Sequence, residues 1–327
     1  MATRNVIESR SNRLRLLMVL FIVLAVLSIG IGVFGFFYSA KDFTVNSPQR
    51  LVEAINHSAT TKQSYNYIVT KSFDIDVADL PTGKPFYGQL KGNCNTITIK
   101  SKDGRPMTSP IFGRIQRGAS VERLTFNVNT TLGEDDNVSD MAVLANDNFG
   151  AVKDCSFSIN KIFIGSKCQN SSAIVNNNFG EINSVCVSVE DVSSSQTTEN
   201  WRCNFGTIAT SNYAIVKNVF IKVLFNDIDI FNNSFNNQRV GYIFSKIGND
   251  MKKTDVDSVY LFGSGLFYDL CVDAARLDAN ETVKGEKPNS SLITDFIHYN
   301  GKYDGKVSPA WSASKVDDKT GFPILSK

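Results

Sequence analysis

A repeat of about 30 residues constrains the fold of this chain more than any other feature of its sequence. Three segments, which begin at Leu144, Ile174 and Ile208, align with one another without gaps. In each segment an Asn precedes an aromatic residue, and a β-branched residue follows three positions later. The aligned asparagines are Asn148, Asn178 and Asn212. A recurring unit of this length is typical of a solenoid or another repeat array.

The second half of each unit has the pattern of a β-strand. The segments Cys155–Ile159 and Val185–Val189 alternate apolar and polar residues, which predicts strands with one buried face. Two further segments, Val121–Val128 and Val256–Phe262, fit the same half-unit. Five units exceed the roughly three that a stacked array needs for a continuous core. The sequence therefore predicts an all-β fold in which short strands stack as a β-solenoid.

The repeats resemble those of secreted parallel β-helix proteins with GLUG-type repeats. The segment Phe86–Asn93 is similar to an aromatic-x-Gly-x-Leu-x-Gly-Asn segment of that family, and Trp311 with Gly321–Leu325 is similar to its closing segment. The resemblance covers roughly residues 65–325. It implies a right-handed parallel β-helix in a secreted or cell-surface setting, without a defined ligand. We expect Trp311 and the closing segment to pack over the last coil.

The N-terminal region predicts a membrane anchor. Residues 1–15 are polar and basic, and Leu16–Tyr38 contains 23 residues without a charge, enough to span a bilayer as a helix. A cleaved signal peptide has an apolar region of only ~7–15 residues, so an uncleaved signal-anchor is favoured. The arginines precede the span, which predicts a single-pass type II protein with a cytoplasmic N-terminus and an extracellular or lumenal body. The predicted regions are a tail (1–15), a transmembrane helix (16–38), a linker with a cap helix (39–64) and a β-helix ectodomain (65–327).

Small residues line one face of the predicted span. They are Ser28, Gly32, Gly35 and Ser39. Such residues let two membrane helices approach closely, which predicts self-association, although Gly is also simply common in membrane helices.

A short helix is predicted after the span. Ser47 can cap its free N–H groups, and Pro48 suits its first position. We expect this helix to cover the edge of the first coil, with a hinge between stalk and body as the alternative.

The six cysteines are compatible with an oxidising compartment, but six thiols allow 15 pairings, so the connectivity cannot be read from the sequence. One pair has a geometric argument. Cys168 lies six residues before Ile174 and Cys203 lies five before Ile208, so stacked coils would bring them together as a candidate disulfide. Cys155 aligns with apolar residues of the other units and is expected to be a buried thiol.

Asparagines provide two further predictions. Stacking of Asn148, Asn178 and Asn212 would form a structural ladder, because a side-chain amide both donates and accepts hydrogen bonds. Seven Asn-x-Ser/Thr sequons are candidate glycosylation sites if the chain enters a glycosylating secretory route, and all seven fall outside the predicted strands. They are Asn56, Asn129, Asn137, Asn170, Asn232, Asn280 and Asn289.

Composition and motifs favour binding over catalysis. The net charge of +2 gives no basic field for nucleic acid, and the two histidines are too isolated to predict a metal site. The sequence contains no motif of a known catalytic site and no column of acidic residues along the repeats, and it predicts no cofactor. We expect a membrane-anchored, non-catalytic solenoid for adhesion, ligand binding or surface structure, with loops between the units contacting a glycan or protein ligand. The alternative is a membrane-tethered carbohydrate-active enzyme of β-helix type.

Overall fold

The computed structural model describes residues 42–133, 138–196, 200–226, 240–248, 255–263, 284–304 and 311–326. All of them belong to the body that begins at Asp42. The predicted tail, the predicted span and the four small residues within it lie outside the described residues. Among the residues that are described, no helix is both long and apolar enough to cross a bilayer.

The described residues of the body form mainly β-strands, with two α-helices and a short 3-10 turn at Val77–Asp79 among them. The helices are α1 (Pro48–Thr61) and α2 (Ser290–Asp304). The strands are β1 (Asp42–Val45), β2 (Asn66–Val69), β3 (Phe73–Asp76), β4 (Pro85–Phe86), β5 (Gln89–Lys100), β6 (Phe112–Ile115), β7 (Ser120–Leu132), β8 (Asp140–Met141), β9 (Ala145–Asn148), β10 (Ala151–Ile164), β11 (Asn170–Ser172), β12 (Val175–Asn178), β13 (Glu181–Ser194), β14 (Asn204–Gly206), β15 (Ala209–Asn212), β16 (Ile215–Phe225), β17 (Val240–Gly241), β18 (Phe244–Ile247), β19 (Val256–Phe262), β20 (Trp311–Val316) and β21 (Pro323–Leu325).

Three parallel sheets form a solenoid of about five coils. The first sheet has the order β1-β2-β5-β7-β10-β13-β16-β19, and β3 also pairs with β5. The second has the order β18-β15-β12-β9-β6-β4, and the third β17-β14-β11-β8. A complete coil takes one strand from each sheet, as in β11, β12 and β13. The predicted parallel β-solenoid is therefore confirmed, while its right-handedness stays a prediction.

The long strands of the first sheet bend once per coil at a residue in the left-handed backbone region. These residues stack in register, at φ values between 49° and 55°, and are Arg123, Asp154, Ser184, Asn218 and Ser258. At the bend the alternation of side chains shifts by one position, so that Val121 and Leu124 are both buried. Each strand therefore lines two stretches of the core wall with one continuous backbone.

A substitution at the bend tests this geometry. Arg123 is exposed and has a φ of 53°. A left-handed conformation costs an L-residue roughly 1–2 kcal/mol and is least tolerated by a β-branched side chain. We expect Arg123→Val to lower the free energy of unfolding by about 1–2 kcal/mol in urea denaturation, and Arg123→Gly to leave it nearly unchanged. Glu122→Val, at the adjacent strand position, is the control, and an equal loss for both Val variants would contradict the strained bend.

The interior is filled by columns of apolar side chains that repeat from coil to coil. Phe126 and Phe157 stack with ring centroids 5.2 Å apart, and Phe86 stacks on Phe112 at 4.7 Å. Helix α1 packs against strands of the first coil, and its buried Leu51 belongs to the same core. Its N-cap is Ser47, whose hydroxyl accepts a hydrogen bond from the Arg50 N–H at 3.3 Å. The helix thus occupies the position predicted for an N-terminal cap.

The C-terminal region packs on the outer side of the first sheet. The outward column of that sheet reads Thr125, Ser156, Cys186 and Phe220 along the coils, so it changes from polar to apolar. Phe220 lies 4.4 Å from Phe296 of α2, ring centroid to centroid. Together with Cys186, Phe262, Ile297, Trp311, Phe322 and Leu325 these residues form a second apolar cluster, separate from the interior.

The expected packing over the last coil is therefore wrong for Trp311, whereas Phe322 of the closing segment contacts Phe262 of β19 as well as Phe220 of β16. Trp311 donates a hydrogen bond from Nε1 to Oδ1 of Asp154 at 3.1 Å, on the side of a central coil. The apolar outward column explains this position. Phe220 and Cys186 point away from the interior, so only an element that lies along the side of the solenoid can bury them.

Loss of one contact should release this C-terminal cover. Phe296 is buried, and replacing such a Phe with Ala costs about 3–5 kcal/mol. We expect Phe296→Ala to make residues 284–326 sensitive to limited proteolysis and to increase binding of an apolar dye, while the β-type circular dichroism is kept. Leu224→Ala, at an exposed site, is the control. Unchanged proteolysis of the Phe296 variant would show that the cover does not depend on this contact.

Candidate functional site

The three aligned asparagines form a hydrogen-bonded ladder inside one corner of the solenoid. Asn148 Nδ2 donates to Asn178 Oδ1, and Asn178 Nδ2 donates to Asn212 Oδ1, each at 2.8 Å. All three side chains are fully buried. In the adjoining coils the same position is held by Ile115 and Ile247, so the ladder has an apolar residue at each end.

Each ladder asparagine also closes the turn that follows it. The side-chain oxygen of Asn148 accepts the Gly150 N–H at 3.1 Å, and that of Asn178 accepts the Gly180 N–H at 3.4 Å. Such turns suit Asn, because its amide can replace a backbone partner. The coils pack so closely here that a Cβ on Gly180 would lie 2.1 Å from the Gly150 carbonyl oxygen. The turn therefore has a fixed shape from coil to coil.

Removal of the central amide should destabilise the solenoid. Asn178→Leu leaves the buried amides of Asn148 and Asn212 without their partner, at a cost of about 1–3 kcal/mol. Asn129→Leu is the control, because Asn129 is exposed and should change stability by less than about 0.5 kcal/mol. Denaturant unfolding of both variants is the measurement, and equal midpoints would contradict a supporting role of the ladder.

An aromatic ladder runs along the outside of the same corner. The rings of Phe149, Phe179 and Tyr213 stack with centroids 4.8 and 4.9 Å apart and interplanar angles of 11° and 5°. Arg114 lies over the Phe149 ring, its guanidinium carbon 5.2 Å from the ring centroid. At the other end Gly248 packs beneath Tyr213, since a Cβ there would lie 2.8 Å from Tyr213 Cδ1. The inner ring faces cover one another and Arg114 covers the Phe149 end of the stack, so ring edges form much of the exposed surface.

The exposed ring edges continue into a neighbouring apolar side chain. Phe179 is 41% exposed, Tyr213 48% and Ile215 39%, although large apolar side chains are usually buried. We call these three residues together with Phe149 the aromatic strip. The sequence alignment showed the aromatic column, but that alignment did not reveal its exposure. One feature of the sequence could have indicated the exposure. Each aromatic residue directly follows a ladder asparagine, so its side chain points to the opposite side of the strand.

Paired charges border the aromatic strip on both sides. On one side Asp147 forms an ion pair with Arg114 at 2.8 Å and accepts the amide of Asn177 at 3.0 Å. On the other side Lys153 pairs with Glu181 at 2.7 Å. Because both carboxylates have a cationic partner, the borders carry little net charge.

The candidate disulfide residues lie in contact. The sulfurs of Cys168 and Cys203 are 3.1 Å apart, and both side chains are fully buried as thiols. Cys155 is buried in the interior as expected, and burial raises the pKa of its thiol above the ordinary value. Burial likewise raises the pKa of Cys186, which makes both thiols poor nucleophiles. Cys271 lies outside the described residues.

The sequons differ in their surroundings, and the prediction that all avoid regular strands is wrong. Asn129 lies exposed within β7, whereas Asn170 begins β11 and donates its amide to Asp140 of the coil before it. Asn56 lies within α1, and its Oδ1 is buried without a hydrogen bond. Asn289 is exposed and its Oδ1 accepts the Leu292 N–H at 2.9 Å. Asn137, Asn232 and Asn280 lie outside the described residues.

Acidic and metal-binding side chains do not converge in the part of the chain that the structure describes. No group of three or more His, Cys, Asp or Glu residues is placed there to hold a metal ion. His57 instead lies within α1, with its Nδ1 2.9 Å from the Tyr67 hydroxyl. Burial raises the pKa of Tyr67 to about 12, so this phenol stays protonated at neutral pH.

The segments between units all leave the solenoid at one corner, between the first and third sheets. They connect β7 to β8, β10 to β11, β13 to β14 and β16 to β17. Parts of three of them lie outside the described residues. The segment after β10 is fully described; it covers residues 165–169, and its Cys168 is buried.

Comparison with known proteins gives no family assignment. No protein family, no curated protein and no solved structure matches the chain. The resemblance to GLUG-type repeats therefore stays a prediction, whereas the parallel solenoid rests on the strand pairing itself.

Proposed function

We propose that this protein is a non-catalytic binding scaffold, displayed by an N-terminal membrane anchor outside the cytoplasm, and that it binds a protein partner along the aromatic strip. The observation that carries the proposal is a continuous row of exposed aromatic edges with Ile215 beside it, on a rigid, repeating framework. Exposed apolar surface of this kind is typical of interaction sites.

The stacking within the aromatic strip favours a protein over a glycan. Sugar rings bind aromatic side chains by packing C–H groups on the electron-rich ring face. Here the Phe179 ring is stacked between Phe149 and Tyr213, and Arg114 lies over the outer face of Phe149. The remaining edges and the Ile215 side chain offer apolar contact, which suits the apolar side chains of a partner protein.

The bordering ion pairs favour contact-driven over charge-steered association. Arg114 with Asp147 and Lys153 with Glu181 neutralise one another at short range. A surface with little net charge does not accelerate association by long-range attraction. We expect the binding affinity to change little between low and physiological ionic strength, whereas binding to a basic patch would weaken as the salt concentration rises.

Two matched variants test the binding surface. Ile215 and Leu224 are 39% and 40% exposed, but only Ile215 belongs to the aromatic strip. We expect Ile215→Ser to weaken binding to protein partners by about tenfold or more, consistent with loss of a central apolar contact, and Leu224→Ser to leave it unchanged. The measurement is binding of the full chain in detergent to an array of extracellular proteins, with a glycan array in parallel.

Two outcomes would contradict the proposal. Equal binding by the Ile215 and Leu224 variants would remove the aromatic strip from the interaction. Turnover of a polysaccharide by the full chain, lost on a single Asp or Glu substitution that leaves the fold intact, would instead support the carbohydrate-active alternative.

Membrane display rests on the charge-free stretch at 16–38 and the arginines before it. We expect protease added to intact cells to remove the C-terminal body and to spare the N-terminus. Protection of the body in sealed cells would contradict the proposed orientation.

A further inference from the structure

We propose that Cys168 and Cys203 are an oxidation site, at which a low-molecular-weight disulfide such as oxidised glutathione joins two neighbouring coils. Cys203 directly precedes β14 and Cys168 lies two residues before β11, and these two strands of the third sheet pair with Asn170 opposite Asn204. Their sulfurs are 3.1 Å apart across 35 residues of chain. This inference does not depend on the aromatic strip or on any partner.

The backbones of the two cysteines are held by one buried amide. Gln196 donates from Nε2 to the carbonyl oxygens of Gly165 at 2.7 Å and Cys168 at 3.0 Å. Its Oε1 accepts the N–H groups of Arg202 at 2.8 Å and Cys203 at 3.2 Å. Gln196 is only 3% exposed, so these bonds lie away from solvent. The clamp holds both backbones, and a cross-link requires the two sulfurs to approach by about 1 Å from 3.1 Å to the ~2.05 Å of a disulfide bond.

A second side chain restrains Cys203. The Trp201 indole Nε1 donates to the Cys203 carbonyl oxygen at 2.6 Å, and the ring is buried. Trp201 thus restrains the Cys203 backbone from within the same segment, while Gln196 joins that segment to the coil that carries Cys168.

Cys155 and Cys186 show that a position on neighbouring strands is not sufficient to bring two thiols together. They lie on adjacent strands, β10 and β13, but Cys155 pairs with Val185 and Ser156 with Cys186. Because Cys155 and Cys186 lie inside regular strands, where successive side chains point to opposite faces, this offset of one residue separates the two sulfurs. Cys168 and Cys203 instead lie just outside their strands, in the segments that precede β11 and β14. Cys155 lies in the interior, and Cys186 lies in the outer cluster beneath the C-terminal cover.

The reaction proceeds by two thiol–disulfide exchanges. One cysteine loses its proton and attacks the disulfide RSSR, which gives a mixed disulfide and releases RS⁻. The second thiolate then attacks the cysteine sulfur of the mixed disulfide and releases another RS⁻. The two cysteine protons pass to the released thiolates, so the products are one protein disulfide and two RSH. Since both thiols are buried, we expect exchange during folding or transient opening of the coils.

The test compares the full chain in detergent after refolding with oxidised glutathione and after refolding with reduced glutathione. Following alkylation of the remaining thiols, non-reducing peptide mapping should show the peptides of Cys168 and Cys203 linked in the oxidised sample only. We also expect the Tm of the oxidised sample to rise by about 5–10 °C, because the cross-link closes a 35-residue interval.

Controls separate this pair from the other thiols. Cys155→Ala should retain the linked peptides and the increase in Tm, whereas Cys168→Ala should lose both. Alkylation of Cys168 and Cys203 in the denatured oxidised protein, or linkage of either to Cys94 or Cys271, would overturn the proposal. The peptide map of the unaltered chain decides the question even where a variant fails to fold.

Discussion

Parallel pairing in register between successive coils is the constraint on which the rest of this structure depends. It places each residue directly against its equivalent in the coils above and below, so every column must tolerate its own neighbours. Asparagine satisfies this requirement because an amide is complementary to a second amide, as between Asn148 and Asn178. Aromatic residues satisfy it by stacking, and charged residues satisfy it by alternating sign, as in Arg114 with Asp147 and Lys161 with Asp191.

The same constraint explains which parts of the fold could be predicted from the sequence. The period of about 30 residues, the inward columns and the alignment of Asn148 with Asn178 and Asn212 all follow from repetition, and repetition is visible in the sequence. The bend at Arg123 could not be predicted in this way. The column contains Arg, Asp, Ser, Asn and again Ser, so no single side chain marks the left-handed backbone.

Contacts between segments that do not belong to the repeat could not be predicted from the sequence pattern either. Trp311 meets Asp154 across 157 residues, and Arg114 closes the aromatic strip from a strand outside the aligned units. Neither contact repeats, so neither produces a periodic signal. The candidate binding surface was therefore only partly predictable. Its aromatic column was visible in the alignment. The exposure of that column and the position of Arg114 over its Phe149 end could be seen only in the packed structure.

The apolar ends of the asparagine ladder have a consequence for how such a chain can change in length. Duplication of residues 149–178 would add a coil whose new asparagine meets an asparagine on both sides, so the amides remain paired. A copy of the coil that ends at Ile247 placed between Asn178 and Asn212 would put an apolar side chain against two buried amides. A coil inserted within the ladder therefore has to carry an asparagine at this column.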